Sequence, residues 1–170
     1  MRESDQALFN ADDVLEVDQS LIDLLKQRAL DSPSRRYRLC LHQSADESVQ
    51  EMIVVHCRDN YSRPHHHPTT ASSMMILEGE LTVVLFDDDG NVTQTIDMAA
   101  RESGRPFTLR LASRCWHMPV CRSEQLVFYE TMTGPFRRDD MNAWAPWSPA
   151  EDDADAIAAY LESLGVDQPT

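Results

Sequence analysis

The chain has 170 residues, with 15 Lys and Arg against 29 Asp and Glu, which gives a formal net charge of −14. Because nucleic acids and anionic membrane surfaces are bound by basic faces, this charge argues against both as partners. The length suits one domain, and the chain lacks the run of about 18 apolar residues that would cross a bilayer.

Residues 1–18 mix acidic and apolar side chains without a clear period. We expect a flexible acidic segment here, and it lacks the basic start and apolar run of a secretory signal. The four cysteines are spaced too irregularly for a disulfide scaffold or a zinc ribbon. These features together predict reduced thiols in a cytoplasmic protein.

A short helix is predicted from about residue 19. Ser20 and Asp23 have the spacing of a capping box, and Pro33 ends the pattern. The residues predicted to share one face of this helix are Leu21, Leu24, Leu25 and Arg28.

From about residue 35 the apolar period becomes two, which indicates β-strands. The predicted strands cover residues 37–42, 49–57, 74–77, 81–86, 92–98, 106–111, 116–120 and 126–132. Residues 78–80 and 87–90 resemble turns between antiparallel neighbours. Many short strands separated by turn residues are typical of an all-β sandwich or barrel.

The last segment, residues 148–170, is predicted to form a C-terminal helix and tail. Ser148 is placed to cap the helix, Pro149 suits its first position, and Gly165 is placed to end it. An apolar stripe along this helix indicates that it packs on the rest of the protein.

Histidines provide the strongest chemical signal. Residues 64–68 read Pro-His-His-His-Pro, and side chains alternate along an extended strand, so His65 and His67 share one face and His66 takes the other. Two imidazoles spaced in this way can bind one metal ion, although a solvated strand edge would also explain them. His117 lies in a later strand, which an antiparallel barrel can bring alongside.

The chain resembles the cupins and, within them, the WbuC-type cupin-fold metalloproteins. The segments that match are residues 32–33, 36–42, 49–50, Tyr61 with 64–68, 77–79, 85–87 with Gly90, 116–117, Glu130 with 134–136, and 145–151. The resemblance implies a double-stranded β-helix, that is, a jelly-roll barrel, over residues 19–147 including the N-terminal helix. It also implies a homodimer and a context of bacterial surface-polysaccharide synthesis.

The resemblance implies a metal held inside the barrel by His65, His67 and His117. The family pattern adds a glutamate five residues after the second histidine, and this chain has Ser72 there. Three neutral nitrogen ligands suit zinc, iron, nickel, cobalt or copper better than magnesium or calcium. Three interpretations follow: a working three-histidine site with water in place of the carboxylate, a site completed by another acid, or a site that has lost its metal.

Glu130 is the best candidate for that other acid, because a charge that faces a closed barrel is costly unless it is paired or coordinating. If it faces outward instead, it is merely solvated. The further candidates for cavity or substrate residues are Tyr61, Gln50, His42 and Arg36. The polar face of the strand that begins at Arg36 would favour an anionic or hydroxyl-rich ligand if it faces the barrel mouth.

Two functions are consistent with these patterns. The first is a metal-dependent protein that acts on a small polar molecule, for which the resemblance implies a sugar derivative. The second is a non-catalytic binding or sensory cupin with a degenerate metal site. The cupin fold hosts both kinds of protein, so the fold does not decide between them.

Overall fold

A computed structural model describes residues 1–137 and 141–165. Within these ranges the chain forms twelve strands, two α-helices of ten residues or more and a short 3-10 helix (Arg101–Ser103). The strands are β1 (Arg2–Ser4), β2 (Ala7–Phe9), β3 (Arg36–Cys40), β4 (Val49–Cys57), β5 (His65–His66), β6 (Ser72–Glu78), β7 (Glu80–Phe86), β8 (Val92–Ala99), β9 (Thr108–Leu111), β10 (Trp116–Cys121), β11 (Gln125–Thr133) and β12 (Ala143–Trp144). The helices are α1 (Gln19–Asp31) and α2 (Ala154–Ser163).

The strands form two sheets. The seven-stranded sheet has the order β1-β2-β3-β4-β11-β6-β9, and the five-stranded sheet has the order β12-β5-β10-β7-β8. Neighbouring strands are antiparallel except for the parallel pair β2 and β3. The chain passes repeatedly between the two sheets, which is the jelly-roll barrel that the sequence predicted.

Strand β4, which is as long as its neighbour β11, is buried on both faces. Met52 and Val54 point into the barrel, whereas Ile53 and Val55 pack beneath helix α1. This explains why residues 52–57 read as a continuous apolar run rather than as a clean alternation.

Helix α1 begins at Gln19, as predicted, but its cap is different from the predicted one. The backbone N–H of Leu21 donates a hydrogen bond of 3.0 Å to the Asp18 carboxylate, and Ser20 bonds to Asp18 as well. Asp18 is therefore the N-cap, and the prediction of Ser20 was wrong. The buried residues of the helix are Ile22, Leu25 and Ala29.

Residues 1–18, expected to be flexible, instead contain strands β1 and β2. Strand β2 pairs in parallel with β3, and the Tyr37 hydroxyl donates a hydrogen bond of 2.9 Å to the carbonyl of Ser4. Ala7 and Leu8 are buried. These two strands are held by tertiary contacts, which a periodicity over three residues does not reveal.

Residues 78–80, predicted as a hairpin turn, form a corner between the two sheets, since β6 and β7 belong to different sheets. Gly79 has φ +85°, and a Cβ there would lie 2.5 Å from the Gln125 carbonyl oxygen, so only glycine fits. Residues 87–90 do join antiparallel neighbours, β7 and β8, as predicted.

Helix α2 is capped by Asp153, whose carboxylate accepts from the N–H of Ala156, rather than by Ser148. Its buried residues Ile157 and Leu161 pack on the outer face of the five-stranded sheet. Residues 166–170 of the predicted tail lie outside the described residues. No helix in the described ranges has the length and apolar character to cross a membrane.

Candidate metal centre

The three predicted ligand residues come together inside the barrel. In the sheet register, His117 of β10 lies directly opposite His65 of β5. The ring centroids of His65 and His117 are 4.4 Å apart, and His67 lies 5.3 Å from His65 and 5.5 Å from His117. One ligand nitrogen from each residue lies within 4.8 Å of the other two. One ion can therefore contact all three side chains.

Each of these imidazoles is oriented by a backbone carbonyl. The Nδ1 atoms of His65, His67 and His117 lie 2.8, 2.8 and 2.9 Å from the carbonyl oxygens of Arg63, Met141 and Cys115. A carbonyl only accepts hydrogen bonds, so each Nδ1 carries the proton. This leaves the lone pair on Nε2, which is the tautomer and orientation that metal ligands need.

Burial keeps these rings neutral. It lowers the pKa of His117 to about 4 and the pKa of His65 well below its usual value, and it also lowers the pKa of His67. Repulsion from His117 contributes to the lowered pKa of His65. Since only neutral imidazole binds a metal, the donor set is ready at neutral pH.

His66 takes the opposite face of the segment, as the alternation predicted. Its ring packs against Trp116 with a centroid separation of 4.2 Å and an interplanar angle of 70°. The neighbouring histidine is therefore part of the aromatic packing outside the barrel.

The cluster contains no carboxylate among the described residues. Ser72 replaces the expected acid, and its hydroxyl is buried without a hydrogen-bond partner in the described part of the chain. Glu130 is not close enough to join the ligand atoms of the three histidines.

A cavity of about 570 Å³ adjoins the histidines. The predicted residues that line it, besides the three histidines, are Arg36, His42, Gln50 and Glu130. The lining residues Arg38 and Trp144 are exposed, so the cavity opens to solvent beside them. The polar face of β3 thus looks into the barrel, one of the two alternatives that the sequence left open.

Gln50 and His42 line the cavity but also hold its wall together. The side-chain amide of Gln50 donates to the carbonyl of Glu47 at 3.0 Å, and His42 Nδ1 lies 3.0 Å from both the amide nitrogen and the carbonyl oxygen of Glu51. Gln50 and His42 therefore stabilise the wall of the cavity and also form part of the surface that a ligand would contact.

Tyr61 and Ser72 are not among the lining residues. Tyr61 packs outside the barrel in the apolar cluster beneath helix α2, and its hydroxyl donates to the carbonyl of Pro149 at 3.2 Å. Tyr61, predicted as a cavity residue, therefore lies outside the cavity, whereas the next two residues, Ser62 and Arg63, line it.

Glu130 points inward from β11, on the same face as Phe128 and Met132. Burial raises its pKa to about 7, and the positive charge of Arg38 offsets part of this effect. The carboxyl group can therefore exchange a proton near neutral pH.

Several lining residues carried no functional signal in the sequence. His56, within the apolar run of β4, lines the cavity. Three further lining residues belong to very short strands or lie beside one: Arg2 in β1, Trp144 in β12, and Asn142 directly before β12. Strands of three residues or fewer are too short to be recognised by periodicity.

Comparisons with known proteins agree with the fold. Residues 17–98 match the model of a family described as a domain of unknown function, DUF6016. No curated protein matches the sequence. A crystal structure of a protein from Shewanella oneidensis is 13% identical with a TM-score of 0.54, and the match covers 76% of this chain and 82% of that one.

Two further structures are similar over less of their length. A cupin superfamily protein from Desulfitobacterium hafniense is 15% identical with a TM-score of 0.45, and the match covers 58% of this chain and 76% of that one. Oxalate oxidase in complex with the substrate analogue glycolate is 14% identical with a TM-score of 0.47 over 71% of this chain. The match spans only 58% of the oxalate oxidase chain. At these identities the comparisons concern the fold and not the chemistry.

Proposed function

We propose that the chain binds one divalent transition-metal ion through His65, His67 and His117 and presents it to a small polar molecule in the adjoining cavity. The observation that carries this proposal is the convergence of three neutral imidazoles, each with Nδ1 fixed by a carbonyl. Nitrogen donors of this kind suit zinc, iron, nickel, cobalt or copper.

Of the three interpretations left by the sequence, we favour a working three-histidine site. The hydrogen bonds that orient the rings are those of a built metal centre, and a site that no longer binds metal has no need of all three. Glu130 lies outside the ligand cluster. Water or the ligand itself would then occupy the positions that a carboxylate fills in the related pattern.

A bound ion of this type supplies Lewis acidity toward a carbonyl or lowers the pKa of a coordinated water. The chain contributes the cavity that encloses the ligand and the carboxyl group of Glu130, which can accept or donate a proton within it. The resemblance to WbuC-type proteins supports a sugar derivative as the small molecule.

A non-catalytic binding protein is the second candidate. Among the described residues that line the cavity, Glu130 is the only carboxylate, so a paired acid and base is lacking there. This favours capture of a ligand without turnover, and both candidates require the same metal centre.

The test is elemental analysis of protein purified without an affinity tag. We expect about one equivalent of a transition metal per chain in the wild type. A His65→Ala and His117→Ala double variant should lose it, because a single imidazole does not retain the ion through dialysis.

His66→Ala is the matched control, since it removes an imidazole from the same segment but from its other face. It should keep the metal content of the wild type. A wild-type protein that remains free of metal after incubation with zinc, nickel or ferrous iron would contradict the proposal.

A further inference from the structure

The cavity has the opposite charge to the molecule that contains it. The chain carries a net charge of −14, yet the described residues lining the cavity include Arg2, Arg36, Arg38 and Arg63 against the single carboxylate of Glu130. A concave site with focused positive charge raises the local concentration of anions. The acidic remainder of the surface makes this local reversal a specific feature of the cavity.

Two of these arginines already have partners. Arg63 donates to the Ser148 hydroxyl at 3.0 Å and to the Ala145 carbonyl at 2.8 Å, and the Arg2 guanidinium lies 4.7 Å from the centre of the Phe9 ring. These contacts hold Arg63 and Arg2 in place. Arg38 shares a hydrogen bond with the Cys40 side chain, a neutral partner that does not offset its charge.

Arg36 and Arg38 form no ion pair within residues 1–137 and 141–165. They alternate along β3, so both side chains take its inner face. Two guanidinium groups on one inner face, without a carboxylate partner in those ranges, provide a set of charged donors directed at the cavity.

Arg36 and Arg38 line the same cavity as the three histidines. The charge of Arg36 contributes to the lowered pKa of His56 on the seven-stranded sheet. The charge of Arg38 acts on Glu130 and Cys40. A ligand that enters this cavity from the metal centre therefore meets a wall that carries both charges.

His56 supplies an independent indication of a ligand. Only 6% of this residue is exposed, it lines the cavity, and its Nδ1 is buried without a hydrogen-bond partner among the described residues. Its ring is held edge-on against Phe128 with a centroid separation of 5.3 Å. Buried polar atoms in folded proteins are nearly always satisfied, so this nitrogen is available to a ligand.

We propose that the cavity binds a small carboxylate-bearing molecule, with the carboxylate on Arg36 and Arg38 and another polar group at the three-histidine centre. The placement of that second group rests on the proposed metal site. Planar guanidinium groups match a carboxylate with two parallel hydrogen bonds. The apolar side chains that also line the cavity, among them Met52, Met74 and Phe128, suit a short carbon skeleton.

A carboxylate fits this site better than a phosphate. Glu130 lies within electrostatic reach of Arg38, so a second negative charge on the group that binds the arginines would be repelled by Glu130. A carboxylate group carries one charge where a phosphate carries up to two, so it can bind both arginines with less repulsion.

Isothermal titration calorimetry with succinate and with its neutral analogue succinamide tests the inference. We expect zinc-loaded wild-type protein to bind succinate at least tenfold more tightly than succinamide. Arg36→Gln and Arg38→Gln should each weaken succinate binding by about tenfold or more, since each removes charge-assisted hydrogen bonds, and should leave succinamide unaffected.

Arg101→Gln is the matched control, because Arg101 is exposed and does not line the cavity. It should bind succinate as the wild type does. Equal affinities for succinate and succinamide, or unchanged succinate binding in both cavity variants, would overturn the inference. Inorganic phosphate that binds more tightly than succinate and depends on the same arginines would overturn the assignment to a carboxylate.

The same titrations in metal-free protein separate this inference from the proposed function. If the chain binds no metal but still distinguishes succinate from succinamide through Arg36 and Arg38, the arginine site stands and the metal centre fails. If zinc binds stoichiometrically and the arginine variants have no effect, the metal centre stands and the carboxylate inference fails.

Discussion

At the scale of single residues, Glu130 shows how the barrel changes the chemistry of a side chain. Its carboxyl group faces a cavity where burial favours the neutral form and raises its pKa to about 7. A carboxylic acid that is neutral when folded and ionised when unfolded stabilises the protein at low pH. That contribution is lost as the pH rises from the ordinary value of 4.5 through about 7.

Replacing Glu130 by Gln should therefore become more stabilising, relative to the wild type, as the pH rises. Between pH 4.5 and pH 8 the free energies of unfolding of the two proteins should diverge by up to about 3 kcal/mol in favour of the variant. Urea unfolding of metal-free protein across this range measures the difference. Parallel stability curves would contradict the expectation.

Arg38→Gln provides the check on the cause. Since the Arg38 charge opposes the effect of burial on Glu130, its removal should move the pH dependence to higher pH. The same variant in the Glu130→Gln background should show no such displacement.

At the scale of elements, helix α1 illustrates a prediction that was right in kind and wrong in detail. The sequence placed Leu24 and Leu25 on one apolar face, but Leu25 is fully buried whereas Leu24 is 41% exposed. The two side chains are chemically identical and adjacent, so they form a matched pair.

Leu25→Ala should destabilise the protein by about 2–5 kcal/mol, because it leaves a cavity between α1 and the seven-stranded sheet. Leu24→Ala should change the free energy of unfolding by less than about 0.5 kcal/mol, since it changes only an exposed surface. Denaturant unfolding measures both. Similar losses for the two variants would show that the helix packs with a different face.

The strands were more predictable than the ends of the helices. Strand β4 was predicted with its observed limits, because turn residues bracket a buried run. The helix caps were not predictable in this way, because several neighbouring residues can cap equally well. Asp18 competes with Ser20 at α1 and Asp153 competes with Ser148 at α2, and tertiary packing decides between them. Strands β1 and β2 exist through pairing with β3, which no local pattern encodes.

The candidate site was predictable to the extent that it depends on local geometry. His65 and His67 share a face because of strand alternation, and the position of His117 required knowledge of the barrel. Which cavity residues contact a ligand depends on the path of the chain in three dimensions. The prediction for Tyr61 was wrong for this reason. Which face of β3 points into the barrel could likewise not be decided from the sequence.

At the scale of the whole molecule, the open edges of the sheets bear on its assembly. Among the described residues the seven-stranded sheet ends at β1 and β9, and the five-stranded sheet ends at β12 and β8. Unpaired strand edges invite pairing with another chain. The homodimer expected from the cupin resemblance thus remains a prediction, and these strand edges are where two chains could pair.

Sedimentation equilibrium should give twice the mass of the chain across micromolar concentrations. Replacing Thr95, an exposed residue of edge strand β8, by Pro should favour the monomer if that edge mediates pairing. Thr95→Val is the control, because it changes the same side chain and keeps the backbone N–H. A single species of monomer mass at all concentrations would contradict the prediction.

The direct pairing of His65 with His117 across β5 and β10 joins the chemistry of the site to the alignment of the sheet. Strand β5 has only two residues, so few backbone bonds fix its position. If either strand slipped by one residue, its imidazole would swing to the far side of the sheet and the ligand set would be broken. A coordinated ion would therefore stabilise only the native register of β5 and β10. Metal binding would then indicate that the barrel had folded with that register.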